Sequence, residues 1–356
     1  MAEPKIHQYL RMVKESHGSD LHMSAGVPPK IRVHGKLRPL NQPALTNAQV
    51  EDLLLEVLDE RRRGIYFERH DLDWAYAMPG IARFRANYFR QQHGMAGVFR
   101  MIPEEIQPVE KLDVPVVTER FCKMRNGLVL VTGPTGSGKS TTLAALIDYI
   151  NRNYSKHIIT IEEPIEFVHQ NKKSVITQRE VGVDSSSFAE ALRNASRQDP
   201  DVILVGELRD LETIGLAITA AEMGNLVFAT LHTNSAAKTI DRIIDVFPED
   251  QQNQIRIMLS VSLKGIVAQL LMPKKDGKGR VPVNEVLFPS TGLANCIREG
   301  AVNKIVSMIE SGRGDGMQLM DDSIMQRYRA GLVSAEQSLL FAQDKSRFAS
   351  MGRAAG

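Results

Sequence analysis

Apolar positions change character part-way along the chain. Up to about residue 102 they fall in short alternating or helical patterns, and from about Thr118 they gather into strand-length runs separated by helical stretches. In the first region Ile6, Leu10 and Val13 share one face of a helix expected over about 5–16. Thr46 to Leu58 predicts a second helix. Thr46 is an N-cap candidate, Gln49 stands three residues on, and Leu53, Leu54, Val57 and Leu58 recur at helical spacing. Lys30–Val33, Leu72–Met78 and Met95–Met101 read as strands, and Pro79-Gly80 as a turn. ARFRANYFRQQ alternates, with Arg83, Arg85, Asn87 and Phe89 on one face and Phe84, Ala86, Tyr88 and Arg90 on the other. Glu60-Arg61-Arg62-Arg63 reads as a solvated turn, and Pro103–Pro115 as a linker stretch. The expectation is a small α+β domain over 1–102 and a linker over 103–117.

In the second region the runs at 128–131, 157–161, 202–205 and 226–231 alternate with helical segments, the pattern of a parallel sheet covered on both faces. Lys264–Met272 and Val281–Leu287 flank PKKDGKGR, a stretch read as solvated, in which Asp276-Gly277 suggests a hairpin turn. Mostly helical sequence follows. An α/β domain is expected over 118–347, with a fraying tail over 348–356.

Composition narrows the class. Of 356 residues, 43% are hydrophobic and 24% charged, which argues against a disordered or fibrous chain. Lys plus Arg is 44 and Asp plus Glu is 42, a net of +2, so bulk charge does not drive binding to nucleic acid or anionic lipid. Cys122 and Cys296 are too few for a disulfide framework or a four-cysteine zinc site, which fits a reducing compartment. MAEPKIHQYLRM has no apolar core of a signal peptide. Ile214–Leu231, the least polar long stretch, contains Glu222, Gly224 and Asn225 and reads as a helix feeding a buried strand rather than a membrane span.

The sharpest chemical signal is Gly133-Pro134-Thr135-Gly136-Ser137-Gly138-Lys139-Ser140, a full G-x-x-x-x-G-K-[ST] match between an apolar strand and a helix. Glycines let backbone N–H groups wrap a polyanion at a helix N-terminus. Lys139 would reach the β- and γ-phosphates of ATP, the Ser140 hydroxyl would ligate Mg²⁺, and Thr141 adjoins them. Two further strands end in acids: Asp201-VILVG-Glu207, where Glu207 takes the place of a Walker B carboxylate, and HIITI-Glu162-Glu163-Pro164-Ile165-Glu166, where Glu163 is the candidate for the metal side. LVFATL-His232-Thr233-Asn234-Ser235 puts His232 at another strand end, where a sensor of the γ-phosphate would sit.

Together these residues resemble the secretion ATPase superfamily, and within it the branch that retracts type IV pili. The likeness runs over nearly the whole length, through SDLHMSAGVPP, IRVHGKLRPL, FRANYFRQ, the phosphate loop, ITIEEPIEFVH, QREVGVDSSSFAEALR, RQDPDVILVGELRDLETI, TLHTNSAAKTIDRIIDVFP and GMQLMDDSI. The resemblance implies a hexameric ring of subunits, each with a PAS-like N-terminal domain and a RecA-like P-loop ATPase domain. It implies ATP at their junction and hydrolysis that changes their relative orientation. It implies that Glu207 acts on the attacking water, that Glu162, Glu163 and Glu166 form an Asp box and His232 a His box, and that Arg83, Arg85 and Arg100 contact nucleotide. The implied partners are copies of itself, the inner-membrane pilus platform protein, pilin indirectly and a paralogous ATPase, with no nucleic acid. The implied location is cytoplasmic, peripheral at the inner membrane.

Three positions depart from the family pattern. Glu163 stands where an Asp is usual, which moves a carboxylate by roughly a bond length. Asn225 stands where a His usually precedes the strand, and an amide cannot carry a proton. Ala294 replaces the first Arg of a C-terminal motif tied to retraction. The phosphate loop and Glu207 are intact, so ATP hydrolysis is expected, with an accessory paralogue or a low-turnover nucleotide-binding regulator as the alternative. Assembly and secretion ATPases usually carry a tetracysteine zinc site, which two isolated cysteines do not supply.

Overall fold

The structure, a computed structural model, describes residues 3–33, 35–102 and 105–349. Contacts divide the chain into two compact units. The first holds residues up to Glu105 together with Glu163–Val168, and the second holds Ile106–Glu162 and His169 onward.

The first unit contains a six-stranded antiparallel sheet made of β1 (Asp20–Met23), β2 (Lys30–Val33), β3 (Lys36–Pro39), β4 (Asp71–Met78), β5 (Ala82–Gln91) and β6 (Gly94–Ile102). Its order is β3-β2-β1-β6-β5-β4. The helices Ile6–Glu15 and Asn47–Leu55 contact β1 and β6, respectively, and Ile6, Leu10, Val13 and Leu54 join Phe84, Tyr88 and Phe99 in one core. Alternation along β5 follows the expectation to its last turn: Phe84, Ala86 and Tyr88 are buried, while Arg83, Arg85 and Asn87 are half-buried.

The second helix begins as its sequence dictates. Thr46 Oγ1 accepts from Gln49 N, and Gln49 Oε1 accepts from Thr46 N at 2.8 Å, a complete capping box. It ends at Leu55, three residues before the expected end. Glu60–Arg69 corrects the turn expected at Glu60–Arg63, for it is a helix. Asp59 caps it by accepting from Arg62 N at 2.8 Å, and the Arg62 guanidinium lies 4.9 Å from the Trp74 ring centre. Only Tyr66 is buried on this helix, so its apolar period is too thin to show in the sequence. β1 and β3, four residues each, were not expected either.

The second unit is built on β7 (Gly127–Thr132), β8 (His157–Glu162), β9 (Val175–Glu180), β10 (Val202–Val205), β11 (Leu226–Leu231), β12 (Leu263–Pro273) and β13 (Arg280–Leu287). The order is β13-β12-β7-β11-β10-β8-β9, parallel except for the antiparallel β12–β13 hairpin. β7, β10 and β11 are buried at every position. Two-sided burial is why these strands are almost wholly apolar and why their limits match the expectation so closely. The edge strand β9, VITQRE, has no fully buried residue and was not expected. The hairpin turn at Asp276-Gly277 is present, with Gly277 at φ 70° and Asp276 Oδ1 accepting from Lys278 N at 2.8 Å.

The expected linker is partly core. Pro103 and Glu104 lie outside the described residues, but Val109 and Val114 are buried in the second unit, and the turn Val109–Lys111 contacts the helix Lys139–Asn153. Phe348, assigned to a fraying tail, is buried beside Met320, Ile324 and Val333, while residues 350–356 lie outside the described residues.

Candidate functional site

β7, β11 and β10 are neighbours and run parallel, so the residues that follow them emerge along one edge of the sheet. β7 delivers Gly133–Ser140, β11 delivers His232 and β10 delivers Glu207 through Gly206. Backbone bonds tie these exits together: Gly133 N donates to Leu231 O at 3.2 Å, Leu208 N to Thr230 O at 3.0 Å, and Gly206 N to Ile161 O at 2.8 Å.

The loop turns through glycine conformations and then enters the helix Lys139–Asn153. Gly133 has φ 148°, and a Cβ there would stand 2.2 Å from the backbone oxygen of Gln269. Gly138 has φ 86°, and a Cβ there would stand 2.9 Å from Gln269 Nε2. Both positions demand glycine for conformation and for space. Lys139 is buried, and its ammonium donates to Gly133 O at 2.8 Å and Pro134 O at 3.2 Å, so its charge lies within the loop. Ser140 is exposed and Thr141 half-buried at the start of the helix.

Glu207 and His232 are brought into contact. Glu207 Oε1 lies 3.0 Å from His232 Nε2, and Oε2 lies 2.9 Å from Arg209 Nη2. Burial pushes the Glu207 carboxyl up. The Arg209 hydrogen bond, its charge and the contact with His232 outweigh that and hold it below the usual carboxylate range. Glu162, at the end of β8, accepts from Thr160 Oγ1 at 2.7 Å and Gln178 Nε2 at 3.3 Å.

Other expected residues belong to the first unit. Glu163 is exposed on the Glu163–Val168 segment. There Arg83 Nη2 donates to Ile165 O at 2.9 Å, and Arg85 Nη1 lies 3.8 Å from Glu166 Oε1. Arg85 Nε also donates to Asp73 Oδ2 at 3.1 Å, and that bond holds the guanidinium more firmly protonated, with burial opposing. Arg100 is directly opposite Arg85 in the β5–β6 register, and its Nε donates to buried Asp20 at 2.9 Å. Asn225 sits at the start of β11, where its side chain donates to Pro200 O. That is the opposite end of the strand from His232, about 20 Å away at the usual rise per residue.

Three residues at the site escaped sequence reasoning. Arg209 follows Glu207 by two positions. Arg280, the last residue of the stretch read as solvated, donates to Gly136 O at 3.1 Å. Gln269 donates through Nε2 to Ser137 O at 2.7 Å, and its Oε1 accepts from Thr142 Oγ1 at 2.9 Å. One amide inside the apolar run IVAQLL was the available signal for Gln269.

Residues 82–339 match the family model of type II/IV secretion system proteins. The chain is 49% identical over 333 residues to the type IV pilus retraction ATPase PilT of Pseudomonas aeruginosa, covering 94% of this chain and 96% of that protein. It is 41% identical over 338 residues to the type IV pilus ATPase PilU of the same organism, covering 95% and 88%. Among solved structures, the pilus retraction motor PilT with bound ADP superposes with a TM-score of 0.86 at 46% identity, covering 95% of this chain and 98% of that one. The Legionella pneumophila ATPase DotB superposes with a TM-score of 0.81 at 27% identity, covering 95% of each chain.

Proposed function

We propose, because this chain belongs to the type II/IV secretion system protein family, that it is an ATP-hydrolysing motor of type IV pilus retraction. Near-full-length identity with a pilus retraction ATPase carries the pilus assignment. The observation that carries the chemistry is the juxtaposition of a glycine loop, a buried lysine and an ionised, arginine-paired glutamate along one sheet edge.

In this reading the loop N–H groups and the N-terminus of the helix Lys139–Asn153 receive the phosphates of ATP. The Lys139 ammonium exchanges its two carbonyl partners for phosphate oxygens. Ser140, exposed at the helix start, and Glu163 are the protein oxygens proposed for Mg²⁺, which binds through few protein ligands plus phosphate and water. Bound there, the ion neutralises charge on the β- and γ-phosphates. Glu207, held ionised at neutral pH, orients the attacking water, and His232 reports the γ-phosphate through its bond to Glu207. Arg83, Arg85 and Arg100 are the proposed guanidinium contacts to nucleotide. The motor is proposed to work as a homohexamer at the cytoplasmic face of the inner membrane. Its partners there are the pilus platform protein, pilin indirectly and a paralogous ATPase. The proposed functional division is 1–102 and 118–347, with Val109 and Val114 of the intervening segment and Phe348 packed into the second unit.

Purified protein should release phosphate steadily from Mg-ATP, and Lys139→Ala and Glu207→Gln should each abolish release. Deleting the gene should leave cells that extend pili without retracting them. Parental turnover in Lys139→Ala would remove the proposed site. Tight ATP binding without turnover by the parent would establish the regulator reading, which the Glu163 and Asn225 departures motivate, although Asn225 lies at the far end of β11 from His232.

A further inference from the structure

We propose that Gln269 is a positioning residue for nucleotide binding, setting the orientation of the Ser137–Gly138 peptide so that its N–H faces the ligand. The proposal rests on the reading that the loop binds nucleotide phosphates. Gln269 is almost wholly buried on β12, beneath the loop. Its Nε2 donates to Ser137 O at 2.7 Å, a contact between residues 132 positions apart. In a trans peptide the N–H points opposite to the C=O. The bond to Ser137 O therefore turns Gly138 N–H away from β12, toward the side open to a phosphate oxygen.

The direction of the Gln269 amide is itself determined. Ser137 O can only accept, which fixes Nε2 toward it and leaves Oε1 to accept from Thr142 Oγ1 and Asn284 Nδ2, at 2.9 and 3.0 Å. Asn284 is anchored in turn: its N donates to Ser323 Oγ at 3.1 Å, and its O accepts from Gln318 Nε2 at 2.8 Å. Gly138 completes the arrangement, because any side chain there would press on Gln269 Nε2.

The test uses full-length Gln269→Met, which keeps the volume and removes the amide. The Kd for Mg-ADP and the KM for Mg-ATP should each rise about tenfold, as expected for one lost hydrogen bond between buried groups. A phosphate contact present before and during reaction is uniform binding, so kcat should stay within about threefold of the parent. The amide's bonds to Thr142 and Asn284 are lost as well, so the melting midpoint of the unliganded variant should fall by roughly 5–12 °C, and Kd and KM are measured well below it. Unchanged Kd and KM, or a loss confined to kcat, would each overturn the proposal. If Gln269→Met does not fold, Thr142→Val decides: loss of one of the two orienting donors should raise the Mg-ADP Kd about threefold, and an unchanged Kd overturns the proposal. A parent that fails to bind Mg-ADP overturns the nucleotide reading together with this one. A parent that binds while Gln269→Met binds equally well overturns this one alone.

Discussion

Replacing Gly133 with alanine adds one methyl group at the point where β7 enters the loop. The backbone there has φ 148°, a region that residues with a Cβ avoid at a cost of about 1–3 kcal/mol. The new Cβ would lie 2.2 Å from Gln269 O and 2.6 Å from Ser137 Oγ. The backbone partner, Gln269 O, does not yield easily. Gln269 lies in β12, which pairs with β7 on one side and β13 on the other, opposite Asn284. The loop must therefore move by about 1 Å to reach ordinary contact, and displacement of that size costs roughly 10²-fold in catalysis. The shift also disturbs the Gly133 carbonyl that Lys139 uses. Steady-state phosphate release from Mg-ATP should fall about 10²-fold. The melting midpoint of the unliganded protein should drop by roughly 3–10 °C, at about 2–4 °C per kcal/mol for a unit of this size. Turnover near the parental rate with an unshifted midpoint would refute the reasoning, because it would show that the loop accommodates a Cβ without moving.

Arg209→Ala should move the acid limb of the kcat/KM pH profile to higher pH. Burial alone raises the Glu207 carboxyl and Arg209 brings it down, so without Arg209 activity is lost earlier as pH falls; an acid limb at the parental position counts against this. Arg85→Ala should lower kcat by about 10³-fold, with the Mg-ADP Kd much less affected, if its guanidinium stabilises the transferring phosphoryl group; parental kcat returns Arg85 to an ion pair with Asp73 and Glu166. Asn225→His, which restores the residue usual in the family, should change turnover by less than about threefold, because the side chain is a strand length, about 20 Å, from His232. A large gain in phosphate release would mean that this end of β11 takes part in hydrolysis.

The legible parts of this protein were those governed by neighbouring residues. The capping box at Thr46 and Gln49 involves two residues three apart, and it formed as expected. The limits of β10 and β11 follow from burial on both faces, which leaves Thr230 as the one polar residue in the two runs. Where burial is partial the pattern fades. β9 shows no fully buried position, and the helix Glu60–Arg69 buries one residue, so neither left a readable period.

Sequence alone determined that a phosphate loop stands between a buried strand and a helix, because a polyanion cradle needs glycines, a lysine and a hydroxyl in one short stretch. It also placed Glu207 and His232 at strand ends. Only the tertiary structure decided what those residues touch. The strand order put the exits of β7, β10 and β11 side by side and joined Glu207 to His232. The same sheet carried Gln269 beneath the loop. The physical reason is that hydrogen bonds and charge pairs act over a few ångströms of space, whatever the separation along the chain.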